Sequence, residues 1–157
     1  MTLEIGDIAP DFSLPDAFGN TVSLASLLGK RVVLYFYPRD STPGCTQEAC
    51  GFRDSYQDCQ TLDVAVFGVS TDDAKSHTKF AQKYQLPFPL LCDLDGQVAA
   101  AYGSYGLKKF MGKEFMGVHR STFVIGPDGR IEKIYRKVKP ATHAAQVLAD
   151  LQAAPVD

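Results

Sequence analysis

Arg31-Val32-Val33-Leu34-Tyr35-Phe36-Tyr37, running into Pro38-Arg39-Asp40-Ser41-Thr42-Pro43-Gly44-Cys45-Thr46-Gln47-Glu48-Ala49-Cys50, decides the fold. The first seven residues are β-branched, aromatic and without polar alternation, which predicts a strand buried on both faces. Pro38 stops it, and Asp40 to Gly44 is turn chemistry rich in helix-capping side chains. A helix is expected from about Cys45 to Leu62, with Ala49, Phe52, Tyr56 and Cys59 on its apolar face. A buried strand, a tight loop and a cysteine at the start of a helix form one unit.

The flanking sequence extends the pattern. Asp11–Leu14 and Thr21–Leu24 predict an N-terminal β-hairpin around Gly19-Asn20, and Ser23 or Ser26 starts a helical turn ended by Gly29. Val64 to Val69 predicts a second buried strand, Thr71-Asp72-Asp73 caps a helix to Tyr84, and Leu90-Leu91 is a short strand after Pro87 and Pro89. A helix is expected over Gln97–Tyr102. Residues 103–119, punctuated by Gly103, Gly106, Gly112 and Gly117, read as irregular. Ser121–Ile125 and Arg130–Tyr135 flank Gly126-Pro127-Asp128-Gly129 as a hairpin, and a last helix spans Thr142–Gln152 with Ala145, Leu148, Ala149 and Leu151 apolar. The order predicts an α/β fold: a central mixed sheet with helices on its faces, in one unit over 1–157.

Composition narrows the function classes. The 157 residues are 45% hydrophobic and 22% charged with a net charge of -2, which excludes a disordered tail and gives no basic footprint for nucleic acid. The acidic N-terminal residues do not suit a secretory signal, and the most apolar run is too short to cross a bilayer, so a cytoplasmic location is expected. Cys45, Cys50, Cys59 and Cys92 are then thiols at rest, and a disulfide among them is catalytic rather than structural.

Cys45 stands apart from the other three. The first turn of a helix carries unpaired N–H groups and partial positive charge, both of which favour a thiolate and hence a nucleophile. Gly44 lets backbone come close to whatever Cys45 attacks. Cys59, Cys92, His77, His119 and His143 read as packing or surface residues. Cys50 follows Cys45 by five positions, roughly 8.5 Å between Cα atoms in an intact helix, whereas a disulfide needs about 4.4–6.8 Å. If the two bond, the first turns must unwind, and Gly51 weakens the helix there by up to about 1 kcal/mol relative to Ala.

The loop resembles the Pro-x-x-x-Thr-x-x-Cys signature of the peroxiredoxins at Pro38, Thr42 and Cys45, and Arg120-Ser121-Thr122-Phe123 is similar to their Arg-x-Thr-Phe strand. Gly6-Asp7-x-Ala9-Pro10-Asp11-Phe12, Gly68-Val69-Ser70 and Leu90-Leu91-x-Asp93 extend the likeness over essentially the whole chain. A second cysteine five residues after the first is similar to the bacterioferritin-comigratory, or PrxQ-like, subgroup. The resemblance implies a thioredoxin-like fold and a thiol peroxidase acting on hydrogen peroxide or organic hydroperoxides. It implies Cys45 as the peroxidatic and Cys50 as the resolving cysteine, joined after turnover in an intramolecular disulfide that a thioredoxin-type dithiol donor reduces. It also implies that Thr42, Gly44, Cys45 and Arg120 bind the peroxide while Pro38 shields the sulfur. A monomer and no cofactor are expected. Glu48 either bridges to an arginine or caps its helix in solvent.

Other functions could use some of the same residues. A thioredoxin-like thiol–disulfide oxidoreductase would share the fold but carry Cys-x-x-Cys. A cysteine hydrolase needs a histidine base; His77, His119 and His143 are candidates, none carries a recognisable partner motif, and His119, beside Arg120, stands out among them. A redox sensor or metal-binding module would use the same cysteines, without the spacing that zinc favours.

Overall fold

The computed structural model describes residues 3–153, so the ends of the unit expected over 1–157 lie outside the described residues. β1 (Ser13–Pro15) and β2 (Thr21–Ser23) form the N-terminal hairpin, followed by a 3-10 turn at Ala25–Leu27. Asp16 closes that hairpin, its Oδ1 accepting from the backbone N–H groups of Phe18 and Asn20. β3 (Arg31–Phe36) leads through the cysteine loop to α1 (Pro43–Thr61), β4 (Val64–Ser70), α2 (Ala74–Tyr84) and β5 (Leu90–Cys92). Then come α3 (Gln97–Ala101), β6 (Tyr105–Phe110), β7 (Lys113–Val118), β8 (Ser121–Ile125), β9 (Ile131–Tyr135) and α4 (His143–Ala153).

Among the described residues the central sheet runs β5-β4-β3-β8-β9. β3, β4 and β5 are parallel, while β8 pairs antiparallel with both β3 and β9. The expected buried strand is central because it alternates between two cores. Val33, Tyr35 and Tyr37 pack with Phe52, Phe80 and Val147 beneath α1, α2 and α4. Val32, Leu34 and Phe36 pack with Tyr102, Phe123 and Leu14 on the other face. The mixed α/β sheet and its N-terminal hairpin are as the sequence predicts.

Two expectations are corrected. Residues 105–118 form a hairpin, not an irregular stretch, with Leu107 opposite Met116 and Gly106 opposite Gly117. Met111 (φ +51°) and Gly112 (φ +79°) make its two-residue turn, the positive-φ geometry that matches strand twist. The Lys108 side chain crosses Gly117: a Cβ there would stand 3.0 Å from Lys108 Cδ, so the lysine would have to shift. In α4 the buried face is His143, Ala144, Val147 and Leu151, and Ala145 and Ala149 face solvent. Helical spacing from Ala144 rather than Ala145 satisfies the packing against α1.

A buried ionic cluster fixes the cysteine loop to the fold. Asp40 Oδ2 lies 2.7 Å from His77 Nδ1 and accepts from Ser76 Oγ, while Oδ1 accepts from the Tyr37 hydroxyl at 2.6 Å. The Asp40 N–H donates to Asp72 Oδ2 at 2.8 Å, and Ser70 Oγ donates to the same oxygen. His77 Nε2 faces the Leu91 carbonyl at 2.9 Å, and a carbonyl only accepts, so Nε2 carries a proton, while Nδ1 faces the Asp40 carboxylate, which favours a second proton and the charged ring. Burial works against that charge, but the Asp40 hydrogen bond and carboxylate outweigh it and hold the histidine's pKa above its ordinary value. Ser41 sits in the left-handed region at φ +65°, held between this anchor and the helix start.

The sign of this linkage sets a test. A raised folded-state pKa means the His77–Asp40 pair stabilises fully below about pH 6.5 and is lost as pH rises through the folded value. His77→Gln is expected to cost about 3 kcal/mol in urea unfolding at about pH 6, because it leaves Asp40 buried without its cation. The cost shrinks as the pH is raised through the folded-state value; a cost independent of pH contradicts a charged His77 paired with Asp40.

Candidate active site

α1 begins where β3 delivers the chain. Thr42 is its N-cap residue in extended conformation, Pro43 occupies the first helical position, and the Thr46 N–H closes the first turn on the Thr42 carbonyl at 2.9 Å. Proline costs nothing there because that N–H has no intrahelical acceptor. The Gly44 and Cys45 amides fall among the first-turn donors that a helix leaves unpaired. The Thr42 hydroxyl donates to the Arg39 carbonyl at 2.9 Å, which leaves its lone pairs free to accept. Pro38 is half-buried at the start of the loop.

Cys45 is 1% exposed, and Arg120 reaches it from the residue before β8, its Nη2 donating to Sγ at 3.4 Å. The register β3–β8 places this arginine: Phe36 pairs with Ser121, so Arg120 lies level with the end of β3 where the loop leaves. Its Nη1 donates to Glu48 Oε1 at 2.8 Å, and Glu48 is fully buried. One guanidinium thus bridges the cysteine and the glutamate one turn later. Gly44 makes room, since a Cβ there would meet Arg120 Nη2 at 3.1 Å and Pro140 Cγ at 3.5 Å.

The surroundings bias the charges. Burial pushes Glu48 up to about 7, against the opposing pull of Arg120. Burial pushes His143 down to about 4, with the Arg120 charge adding to it, so this imidazole is neutral. His143 Nε2 lies 2.7 Å from Thr122 Oγ1 and 4.0 Å from Glu48 Oε2. Lys108 Nζ donates to the Val118 carbonyl at 3.0 Å, and burial followed by repulsion from Arg120 lowers its pKa despite the attraction of Cys45. Burial also lifts Cys59 and Cys92 to about 11, which leaves both as inert thiols at neutral pH.

Of the residues singled out by sequence, Thr42, Gly44, Cys45 and Arg120 converge here, with Pro38 at the loop entrance. Cys50 is half-buried on the same helix and is a free thiol, as is Cys45. Glu48 takes the bridging alternative. Its burial was legible in part: it lies three residues after Cys45 and four before Phe52, on the apolar face. His143 and Lys108 were not legible, because each arrives from a distant element. Asp40, Asp72 and His77 place three ligand-type atoms within 4.8 Å, but each is engaged in the hydrogen bonds that anchor the loop.

Known proteins share this architecture. The sequence matches the AhpC/TSA family over residues 5–134. It is 50% identical to the peroxiredoxin Bcp of Bacillus subtilis over 152 residues, covering 97% of each chain, and 47% identical to that of Escherichia coli K12, covering 93% and 94%. A crystallised bacterioferritin comigratory protein of Xanthomonas campestris, described for its alkyl peroxide reduction activity, superposes with a TM-score of 0.91 at 36% identity, covering 99% and 98%. The peroxidoxin BcpB of Mycobacterium tuberculosis superposes at 0.86 and 38% identity, covering 98% and 99%.

Gly44→Ala tests the close approach. The added methyl displaces the guanidinium from Sγ, so alkylation of Cys45 by iodoacetamide at neutral pH is expected to slow about tenfold, while the unfolding midpoint moves little. An unchanged alkylation rate contradicts the role given to this contact.

Proposed function

The chain belongs to the AhpC/TSA family, among its peroxiredoxins of the Bcp and PrxQ type, and from that premise we propose that Cys45 is the sulfur that attacks the hydroperoxide. The activity is that of a thiol-dependent peroxidase on a thioredoxin-like fold. The observation that carries the assignment of Cys45 is the Arg120 contact at 3.4 Å to a thiol in the first turn of α1.

The chemistry follows from the geometry. Arg120 and the helix start favour the thiolate, and the Gly44 and Cys45 amides offer donors to a peroxide oxygen. The Thr42 oxygen can accept from the peroxide O–H, which aligns the O–O bond with Sγ. The thiolate attacks the nearer oxygen, the O–O bond breaks, and the leaving oxygen takes a proton and departs as water or an alcohol. Cys45 is left as a sulfenic acid. Attack by the Cys50 thiol on that sulfur releases water and forms the Cys45–Cys50 disulfide. A dithiol donor of the thioredoxin kind then exchanges with it and restores both thiols.

Resolution requires the start of α1 to open, because helical spacing holds the two sulfurs' backbones too far apart. Gly51 is placed to permit this, and it also lets α1 approach α4: a Cβ there would meet the Ala144 Cβ at 3.0 Å. Among the described residues no helix is long and apolar enough to cross a membrane. We place the enzyme in the cytoplasm, working as a monomer on freely diffusing hydroperoxides and needing no cofactor beyond its own sulfur.

Thr42→Val is the clean test of the site. It removes the hydroxyl at the cost of one side-chain hydrogen bond, about 1 kcal/mol of stability. The second-order rate of Cys45 oxidation, followed by stopped flow with hydrogen peroxide, is expected to fall about 100-fold. Arg120→Ala should fall at least as far, but it also strips the buried Glu48 of its cation and costs stability as well. A Thr42→Val rate equal to wild type contradicts the assignment.

A further inference from the structure

Arg120 is a single positive charge asked to serve two acids. Its Nη2 faces Cys45 Sγ at 3.4 Å and its Nη1 faces Glu48 Oε1 at 2.8 Å. Glu48 receives no more than this: its other oxygen, Oε2, is buried without a hydrogen-bond partner among the described residues. An ionised carboxylate in a dry site needs several donors to offset its lost hydration. The neighbours do not supply them. His143, 4.0 Å from Oε2, is neutral and turned to Thr122 Oγ1. Tyr35 of β3 presents a buried hydroxyl that burial, Glu48 and Cys45 all keep protonated. Lys108 of β6 is committed to the Val118 carbonyl, and Asp40 of the loop is already paired with His77.

We propose that Cys45 and Glu48 hold one proton between them across Arg120, so that Glu48 yields its own charge when the thiolate forms. The exchange balances without any further reactant: the thiol loses a proton to solvent, and the carboxylate takes one up. While Glu48 is charged it competes for the guanidinium and opposes the thiolate. Once Glu48 is neutral, Arg120 serves the sulfur alone. Glu48 is a positioning residue acting through Arg120, and its position near neutrality lets the exchange occur at working pH. By reciprocity, whatever Cys45 does to Glu48, Glu48 does equally to Cys45.

This inference rests on Cys45 being the reactive thiol, but its test reads ionisation rather than peroxidase turnover, so the two fail separately. In a Cys50→Ser background, thiolate formation at Cys45 is followed by ultraviolet absorbance and iodoacetamide rate against pH. Cys59 and Cys92 stay silent because burial lifts them to about 11. Glu48→Gln keeps the shape and removes the charge. It is expected to shift Cys45 ionisation to lower pH by about one unit, a tenfold gain in rate on the acid side, and to sharpen a broad curve into a single-site one. A purely structural role for Glu48 predicts the opposite, since a loosened Arg120 would shift the curve upward. An unmoved or upward-shifted curve overturns the proposal.

The reciprocal measurement needs no change at Glu48. The carboxylic-acid infrared band of Glu48 is expected to persist to higher pH with Cys45 present than in Cys45→Ser, where no thiolate competes for Arg120. A band that titrates identically in both proteins overturns the proposal.

Discussion

One guanidinium shared between a thiol and a buried carboxylate is the constraint around which this end of the molecule is built. Arg120 enters just ahead of the antiparallel strand β8, Cys45 and Glu48 from the helix that follows the parallel strand β3. The two halves of the mixed sheet therefore meet at this contact. Gly44 keeps backbone thin where the guanidinium passes, and the Asp40–His77 anchor fixes the loop from the other side. The site is a cationic seam between two chain directions, and the sheet order is what brings its two sides together.

That arrangement must do two things that oppose each other. Attack on a peroxide is favoured at a water-poor sulfur, and Cys45 is 1% exposed. Resolution by Cys50, as we propose it, needs the same residues to leave that place. The helix start mixes both demands: Cys45, Glu48 and Ala49 are buried, Thr42, Gly44 and Cys50 are half-buried, and the large aromatic Phe52 packs beyond Gly51. The anchor at Asp40 lies before the segment that must move, so opening α1 need not dissolve it.

The fold was largely legible because its centre is written in local pattern. Val32 to Tyr37 admit little but a strand covered on both sides, and the Thr-Pro-Gly-Cys run admits little but a helix start. The hairpin of residues 105–118 was not legible. Its lysines and Glu114 obscure the alternation, and Gly106, Gly112 and Gly117 look like breakers until Met111-Gly112 is seen as the turn and Gly117 as the bed for Lys108. The site divides the same way. Cys45 and Thr42 declare themselves through position in one short segment, and the burial of Glu48 was half visible in its spacing from Phe52. The neutral His143 beside it could not be read, because its environment is made by a helix almost a hundred residues later. The electrostatics of a buried group belong to the assembled fold rather than to any stretch of sequence.

The central claim is that Cys45 is oxidised first and Cys50 resolves it within the same helix. The most direct measurement is tryptic mapping of the reduced protein after one equivalent of hydrogen peroxide, quenched within seconds. Cleavage after Arg39 and Arg53 leaves Cys45 and Cys50 as the two cysteines of one peptide. The account predicts that this peptide loses two hydrogens while Cys59 and Cys92 remain free thiols. A peptide that stays reduced in the folded protein, or a disulfide that instead involves Cys59 or Cys92, would contradict it.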